Sequence, residues 1–350
     1  MPPSAITAAR AQIAAVGADA ELAPTDLSDV ALALDGLATA IELPDGKTIY
    51  PPKLHGAPID QLACELLDMQ DPAQSKFLRL IGPPGTGKSQ LARGVAHRLW
   101  HQRGRAVTQR HGQPFYGFVE MTGGPSSDEF TFKYEFVPDP QRPGEVKIVP
   151  SAFVEAMEHG WVVMIDEVNT IRDVALLSLN ATLDGRLSLY LPSEGKTVVA
   201  QPGFAVLIAY NPGLIGASDI PDAWHSRFPA TIEVTSNWSA LAALGAPEAL
   251  VKAAKLLDGR RMDPDAGLVW TPQFRDIEAL WHMIERVGER AALALFISNL
   301  HEQTQAGKVQ DAEAAATCRM LDEAGYAELK VHASGTLANL HGYPRAVTAG

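Results

Sequence analysis

The chain has 350 residues, 46% of them apolar, and a formal net charge of −12. That length exceeds one average domain and predicts two. The acidic balance argues against a surface that grips nucleic acid regardless of sequence, which requires an excess of Lys and Arg; a local basic channel stays open. The two cysteines, Cys64 and Cys318, give neither a metal spacing nor a disulfide framework, so a reducing compartment is expected. The first residues, MPPSAITAARAQIAAVGADAELAP, lack the basic-then-apolar order of a secretory signal. No apolar run approaches the roughly 18 residues of a membrane span. A soluble, cytoplasmic protein with no membrane partner is expected.

In chain order, residues 1–50 are Ala-rich, broken by prolines, and read as an N-terminal extension. IDQLACELLDM (59–69) has helical spacing. FLRLIG (77–82) reads as a buried strand entering a Gly-rich turn, and SQLARGVAHRLW (89–100) as a helix. FYGFVEM (115–121) is a second strand. SAFVEAMEHG (151–160) is a helix that Ser151 caps and Gly160 stops. WVVMIDEV (161–168) is a third, almost wholly apolar strand, and DVALLSLNATLDG (173–185) a helix ending at Gly. FAVLIAYN (204–211) and ATIEVT (230–235) are strands four and five. Residues 239–258, 272–304 and 310–329 read as helical, and the tail after His332 has no clear pattern. Continuous apolar strands alternating with helices predict a five-stranded parallel sheet covered on both faces, followed by a smaller all-helical domain.

The strongest motif is GPPGTGKS, Gly82–Ser89, a full match to G-x-x-x-x-G-K-[ST]. It follows an apolar strand and precedes a helix, the context in which the pattern is a phosphate loop. Backbone N–H groups of Gly82, Pro84's neighbour Gly85, Thr86, Gly87 and Lys88 can turn toward phosphate oxygens where no Cβ intervenes. Pro83 and Pro84 shape the loop, and Gln90 continues it into the helix. Lys88 can reach the β- and γ-phosphates, and the Ser89 hydroxyl can ligate Mg²⁺.

Asp166 and Glu167 end the third strand, at the sheet edge where parallel sheets bind ligands. Neighbouring strand residues point opposite ways, so the pair can divide the labour. Asp166 can hold Mg²⁺; Glu167 can orient or deprotonate the attacking water.

Gly82–Ser89 and Asp166–Glu167, with FAVLIAYNPG (204–213) and IPDAWHSRF (220–228), occur in an order and spacing that resembles the AAA+ ATPases over residues 50–285. The likeness is to the MoxR-type branch, and FAVLIAYNPG looks most like the subgroup of the CbbQ, NorQ and GvpN ATPases. The resemblance implies a P-loop NTPase domain over 51–238, a helical lid domain and tail over 239–350, and ATP with Mg²⁺ as cofactors. It implies that Asn211 is the sensor 1 residue that positions the attacking water. Arg227 matches the arginine finger, which acts on a neighbouring subunit's nucleotide, so the active form would be a ring, typically a hexamer. Arg275 in TPQFRDIEAL matches sensor 2, although Gln273 stands where the family often has Arg after Pro.

Two inserted hairpins are also implied, near 123–150 and 186–202. The second alternates around Ser193–Lys196. The first holds DEFTFKYEFVP (128–138), where Phe130, Phe132, Tyr134 and Phe136 fall on every second residue, the period of a strand. Such a ribbon either grips a protein segment or packs the hairpin onto its domain. Many relatives carry an Asp-Leu-x-Gly phrase there, and this chain lacks its glycine.

The function expected is ATP-driven remodelling or activation of a client protein, with a von Willebrand factor A domain protein as partner. The competing readings are a nucleic-acid motor or loader of the same superfamily, disfavoured by the acidic charge, and a scaffold that binds ATP without hydrolysing it, disfavoured by the full catalytic set.

Overall fold

The computed structural model describes residues 39–54, 57–67, 77–211, 220–228, 230–261, 267–268 and 270–326. The extension before residue 39, the tail after His332, and Pro212 and Gly213 of the FAVLIAYNPG phrase lie outside the described residues. The chain divides into two compact units, Met1–Pro83 with Lys88–Thr235, and Pro84–Gly87 with Ser236–Gly350.

In the first unit, α1 (Ile59–Leu67) leads to β1 (Phe77–Ile81), α2 (Lys88–Gln102) and β2 (Phe118–Thr122). Then come α3 (Glu129–Lys133), the strands β3 (Tyr134–Pro138) and β4 (Val146–Pro150), α4 (Ala152–His159) and β5 (Val162–Asp166). The unit continues through α5 (Asp173–Ser178), β6 (Ser188–Leu191), β7 (Lys196–Val199), β8 (Ala205–Tyr210), α6 (Asp222–His225) and β9 (Ala230–Glu233). Five strands form one parallel sheet in the order β9-β1-β8-β5-β2.

The side-chain alternation of a strand explains why the central strands are apolar throughout. Val163, Ile165, Val206, Ile208 and Phe77 face one cluster, which includes Phe153 and Met157 of α4 and Leu176 of α5. Met164, Leu207, Ala209, Leu78 and Leu80 face the other, which includes Ile59 and Leu67 of α1 and Leu91, Val95 and Leu99 of α2. Both faces are therefore covered, and each fully buried Leu, Ile or Phe contributes about 1.5–3 kcal/mol of transfer free energy. Gly160 ends α4 in the left-handed region, at φ 66°, where Cβ strain would penalise other residues.

The second unit holds α7 (Trp238–Ala243), α8 (Glu248–Arg261), α9 (Phe274–Val287), α10 (Glu289–Gln305) and α11 (Asp311–Glu323) around a core of its own. Its polar interior is paired. Asp258 accepts from Trp238 Nε1 at 3.2 Å and Thr271 Oγ1 at 3.2 Å. Buried Glu313 accepts the Trp270 and Gln310 N–H groups at 2.6 and 2.8 Å. The helical run expected over 239–258 breaks at Gly245 and Pro247, and the run over 272–304 breaks at Gly288, where φ is 82°. Both cysteines are buried thiols outside any disulfide, and burial pushes the Cys318 thiol up to about 11. Among the described residues, no helix is long and apolar enough to cross a membrane.

The aromatic stretch departs from its strand period. Residues 129–133 are helical because a local cap outcompetes the alternation. The Asp128 side chain accepts the Thr131 N–H at 3.0 Å, and the Asp128 N–H donates to Thr131 Oγ1 at 3.2 Å. This reciprocal box satisfies donors that a helix start leaves open. The backbone hydrogen bond from Thr131 holds the Asp128 carboxyl below its usual range. Glu129 and Lys133 add an i,i+4 ion pair. Only at Tyr134 does the strand begin, and β3 then pairs antiparallel with β4.

The helix splits the four aromatics. Phe132 and Tyr134 enter the core, while Phe136 is 64% exposed and stacks on Phe130 at 5.1 Å. Ser151 fixes the hairpin base, donating from Oγ to the Phe132 carbonyl at 2.6 Å and capping α4. The second hairpin, β6 with β7, joins the first where the Ser193 N–H donates to the Tyr134 hydroxyl at 2.8 Å.

Phe132→Ala is expected to cost about 3–5 kcal/mol in urea unfolding. Phe136→Ala should cost about 1 kcal/mol or less. Equal losses would show that the ribbon does not divide in this way.

Candidate nucleotide site

Strand order assembles the site. β8 lies between β1 and β5, so the loop after β1, the residue after β8 and the carboxylate ending β5 meet at one sheet edge. The loop turns sharply at Gly82, where φ is 148° and an added Cβ would lie 2.2 Å from the Val234 carbonyl oxygen. Only glycine tolerates both conditions. Gly85 and Gly87 also have positive φ, 83° and 93°.

Lys88 opens α2 and is buried. Its ammonium donates to the Gly82 and Pro83 carbonyls, each at 2.8 Å, and to Asn211 Oδ1 at 2.6 Å. The Ser89 hydroxyl donates to Asp166 Oδ2 at 3.1 Å. A hydroxyl beside a carboxylate is a hard-oxygen pair of the kind Mg²⁺ takes. Lys88, Ser89, Asp166 and Asn211 are thus brought together.

Glu167 is exposed, with its backbone in the left-handed region at φ 52° and ψ 36°. For a residue with a Cβ that conformation costs about 1 kcal/mol or more. Contacts on both sides hold it. The Glu167 N–H donates to Asp166 Oδ1 at 2.9 Å, and the Glu167 carbonyl accepts from Thr170 N at 2.9 Å and Thr170 Oγ1 at 2.8 Å. The strand expected over 161–168 therefore ends at Asp166.

Arg227 follows α6, whose buried Trp224 donates from Nε1 to the Leu176 carbonyl at 3.0 Å. The Arg227 guanidinium turns back and donates from Nη1 to the Ala223 carbonyl. Nearby, Arg186 grips Asp184 through Nε and Nη2 at 3.1 and 2.7 Å. That contact first, and the Arg227 charge as a lesser cause, hold the Asp184 carboxyl below its usual range. Asp184 and Arg186 close a turn where the sequence period predicted helix to Gly185. In the helical unit, which takes in Pro84–Gly87, the Arg275 N–H donates to the Gly85 carbonyl at 3.2 Å. Arg275 lies in the first turn of α9, where Gln273 and Asp276 form a capping box.

Two contributors escaped the sequence reading. The Gly123 N–H donates to the Asp166 carbonyl at 2.7 Å, and a Cβ there would lie 2.7 Å from the Glu167 carbonyl oxygen. The Gly123-Gly124 dipeptide after β2 marks a turn by its residue types and carries no site motif. Asn169 is buried and donates from Nδ2 to the Asn211 carbonyl at 3.3 Å, which ties the turn after Glu167 to the end of β8. No periodicity marks such a contact.

These features define a P-loop nucleotide-binding α/β domain. A family model described as AAA domain (dynein-related subfamily) matches residues 78–228. That match supports an AAA+ ATPase over the segment that carries the loop, the carboxylate pair, Asn211 and Arg227. An uncharacterized protein of Staphylococcus saprophyticus is 29% identical over 157 residues, covering 44% of this chain and 54% of the relative. Uncharacterized proteins of Staphylococcus epidermidis and Staphylococcus haemolyticus are 28% and 27% identical over the same length and shares. The chain spans about half the length of the curated relatives it matches.

Gly123→Ala is expected to cost about 1–3 kcal/mol in chemical denaturation, because the methyl group must displace the Glu167 backbone or Ile171. Unchanged stability would mean that the β2 and β5 ends separate without cost.

Proposed function

We propose that the chain binds and hydrolyses ATP as an AAA+ protein of the MoxR type, and that hydrolysis drives the remodelling of a client protein. The observation that carries this reading is the joining of Lys88 to Asn211 and of Ser89 to Asp166 at one sheet edge. A phosphate-binding ammonium, a metal-binding pair and a polar sensor then surround one point.

In this reading the residues Gly82–Gln90 cradle the phosphates, and Lys88 exchanges a carbonyl contact for the β- and γ-phosphate oxygens. Ser89 and Asp166 would hold Mg²⁺, which when bound neutralises phosphate charge. Glu167, on the exposed side of the Asp166 turn, accepts the proton of the attacking water. Asn211 orients that water. Arg227 acts on the nucleotide of a neighbouring subunit, which makes the active form a ring, typically a hexamer. Arg275 is assigned the sensor 2 role, which rests on the sequence resemblance.

The client, the von Willebrand factor A domain partner and the likeness to the CbbQ, NorQ and GvpN subgroup rest on the sequence resemblance, and the cytoplasmic setting rests on two cysteines that give no disulfide framework. A nucleic-acid motor is the weaker reading. The basic residue at the second hairpin tip, Lys196, is paired with Glu158 at 3.2 Å and Glu194 at 2.9 Å, so it offers little free positive charge.

Lys88→Ala is expected to abolish nucleotide binding in a fluorescent-ATP titration. Glu167→Gln should bind ATP normally yet lose about 10²-fold or more in kcat. Turnover at the wild-type rate in Glu167→Gln would remove the general-base role.

Arg227→Ala is expected to lose about 10³-fold in kcat with little change in ATP affinity. Wild-type specific activity should rise with protein concentration as light scattering reports a ring-sized mass. A stable monomer of constant specific activity would sink the shared-site reading.

A further inference from the structure

We propose that His97 and His101 of α2 form a two-point chelate for a divalent transition-metal ion of square-planar or octahedral preference, with Ni²⁺ and Cu²⁺ as its best fits. The site is separate from the nucleotide site and does not depend on the proposed function. His97 lies nine residues beyond Lys88, about 13 Å along the helix axis.

The first observation is placement. Of the ten histidines, only His97 and His101 stand four residues apart. Within α2 that spacing puts both side chains on one face, one turn apart.

The second observation is distance. The two Nε2 atoms are 3.0 Å apart, and the rings meet edge to face with centroids 4.4 Å apart. A metal–imidazole bond is about 2.0–2.1 Å long. Two such bonds at a right angle put the nitrogens about 2.9–3.0 Å apart, whereas a tetrahedral centre needs about 3.3–3.4 Å. The observed 3.0 Å is a hydrogen-bonded separation that one ion can bridge with little ring movement, and affinity for imidazole sites rises through Ni²⁺ to Cu²⁺.

The third observation is support from outside the helix. His97 is held against the Tyr116 ring, edge to face at 5.2 Å.

In the pair as it stands, one Nε2–H donates to the other ring's Nε2 lone pair. On metal binding the donor ring moves its proton to Nδ1 by exchange with water. Both Nε2 lone pairs then face the ion, and no net proton is released. Among the described residues, no group of three or more His, Cys, Asp or Glu side chains gathers as a metal cage. Water therefore completes the coordination sphere on the exposed side.

The test is calorimetric titration of Ni²⁺ into the full chain in excess Mg²⁺, which fills the hard-oxygen site. One ion per chain is expected, with affinity falling at least about tenfold in His97→Asn and in His101→Asn. Cu²⁺ should bind more tightly still, with an electron paramagnetic resonance pattern of two equivalent nitrogens. His101 is exposed, so His101→Asn leaves the fold intact and decides the matter alone if His97→Asn unfolds. Wild-type Ni²⁺ affinity in His101→Asn, or no uptake by the wild type, would overturn the proposal.

Discussion

The Lys88 ammonium is the constraint from which the rest of the first unit follows. A buried cation costs several kcal/mol unless its donors are paired. Lys88 has three N–H donors, and they meet three oxygens, from Gly82, Pro83 and Asn211. Two of these partners belong to the loop itself, so the chain must fold back over its own lysine. That requires a glycine at 82, pressed against the Val234 carbonyl. The third partner follows β8, the strand that lies beside β1. The sheet order and the loop conformation thus converge on one charge.

The carboxylate side is organised by strain. Asp166 closes a regular strand and is tied three ways, to Ser89 Oγ, the Glu167 N–H and the Gly123 N–H. Glu167 then departs into the left-handed region, which redirects its side chain at the sheet edge. Such strain persists only where neighbours over-determine it. Here Thr170 fixes the Glu167 carbonyl, and Asn169 links the same turn to the residue that also binds Lys88. The cationic and anionic halves of the site are therefore joined through Asn211, by its side chain on one side and its backbone on the other.

Much of this was legible in the sequence, because the strongest signals were redundant. Runs such as VVMI and AVLIA bury both faces and read as central strands of a parallel sheet. The phosphate loop is a contiguous motif whose spacing is dictated by one anion. The weaker readings failed where a short-range bond competed with a period. Alternating aromatics at 130–136 promised one strand, but the Asp128–Thr131 box made a helix first. The helix expected to Gly185 stopped at Ser178, and turn bonds including Asp184 to Arg186 take over. Gly123 and Asn169 were invisible for a different reason: their partners, Asp166 and Asn211, lie about 40 residues away in the chain. Only the fold makes them neighbours.

The aromatic ribbon shows how one stretch serves two demands. Its first half is structural, with Phe132 in the core and the Tyr134 hydroxyl held by the second hairpin. Its second half presents Phe136 opposite Ile148, and Pro138 opposite Val146, on one face of β3 and β4. Phe136, Val146 and Ile148 are each at least half exposed. Antiparallel pairing makes this sharp. The same register that puts Tyr134 against Pro150 at the buried base carries the pleat outward, so every second residue stays on one face as the hairpin leaves the core. A base anchored by burial and hydrogen bonds, and an exposed apolar face that contributes little to that anchoring, separate stability from whatever that face contacts. Residues of that face can then vary in size and chemistry without disturbing the sheet that holds Lys88 and Asp166.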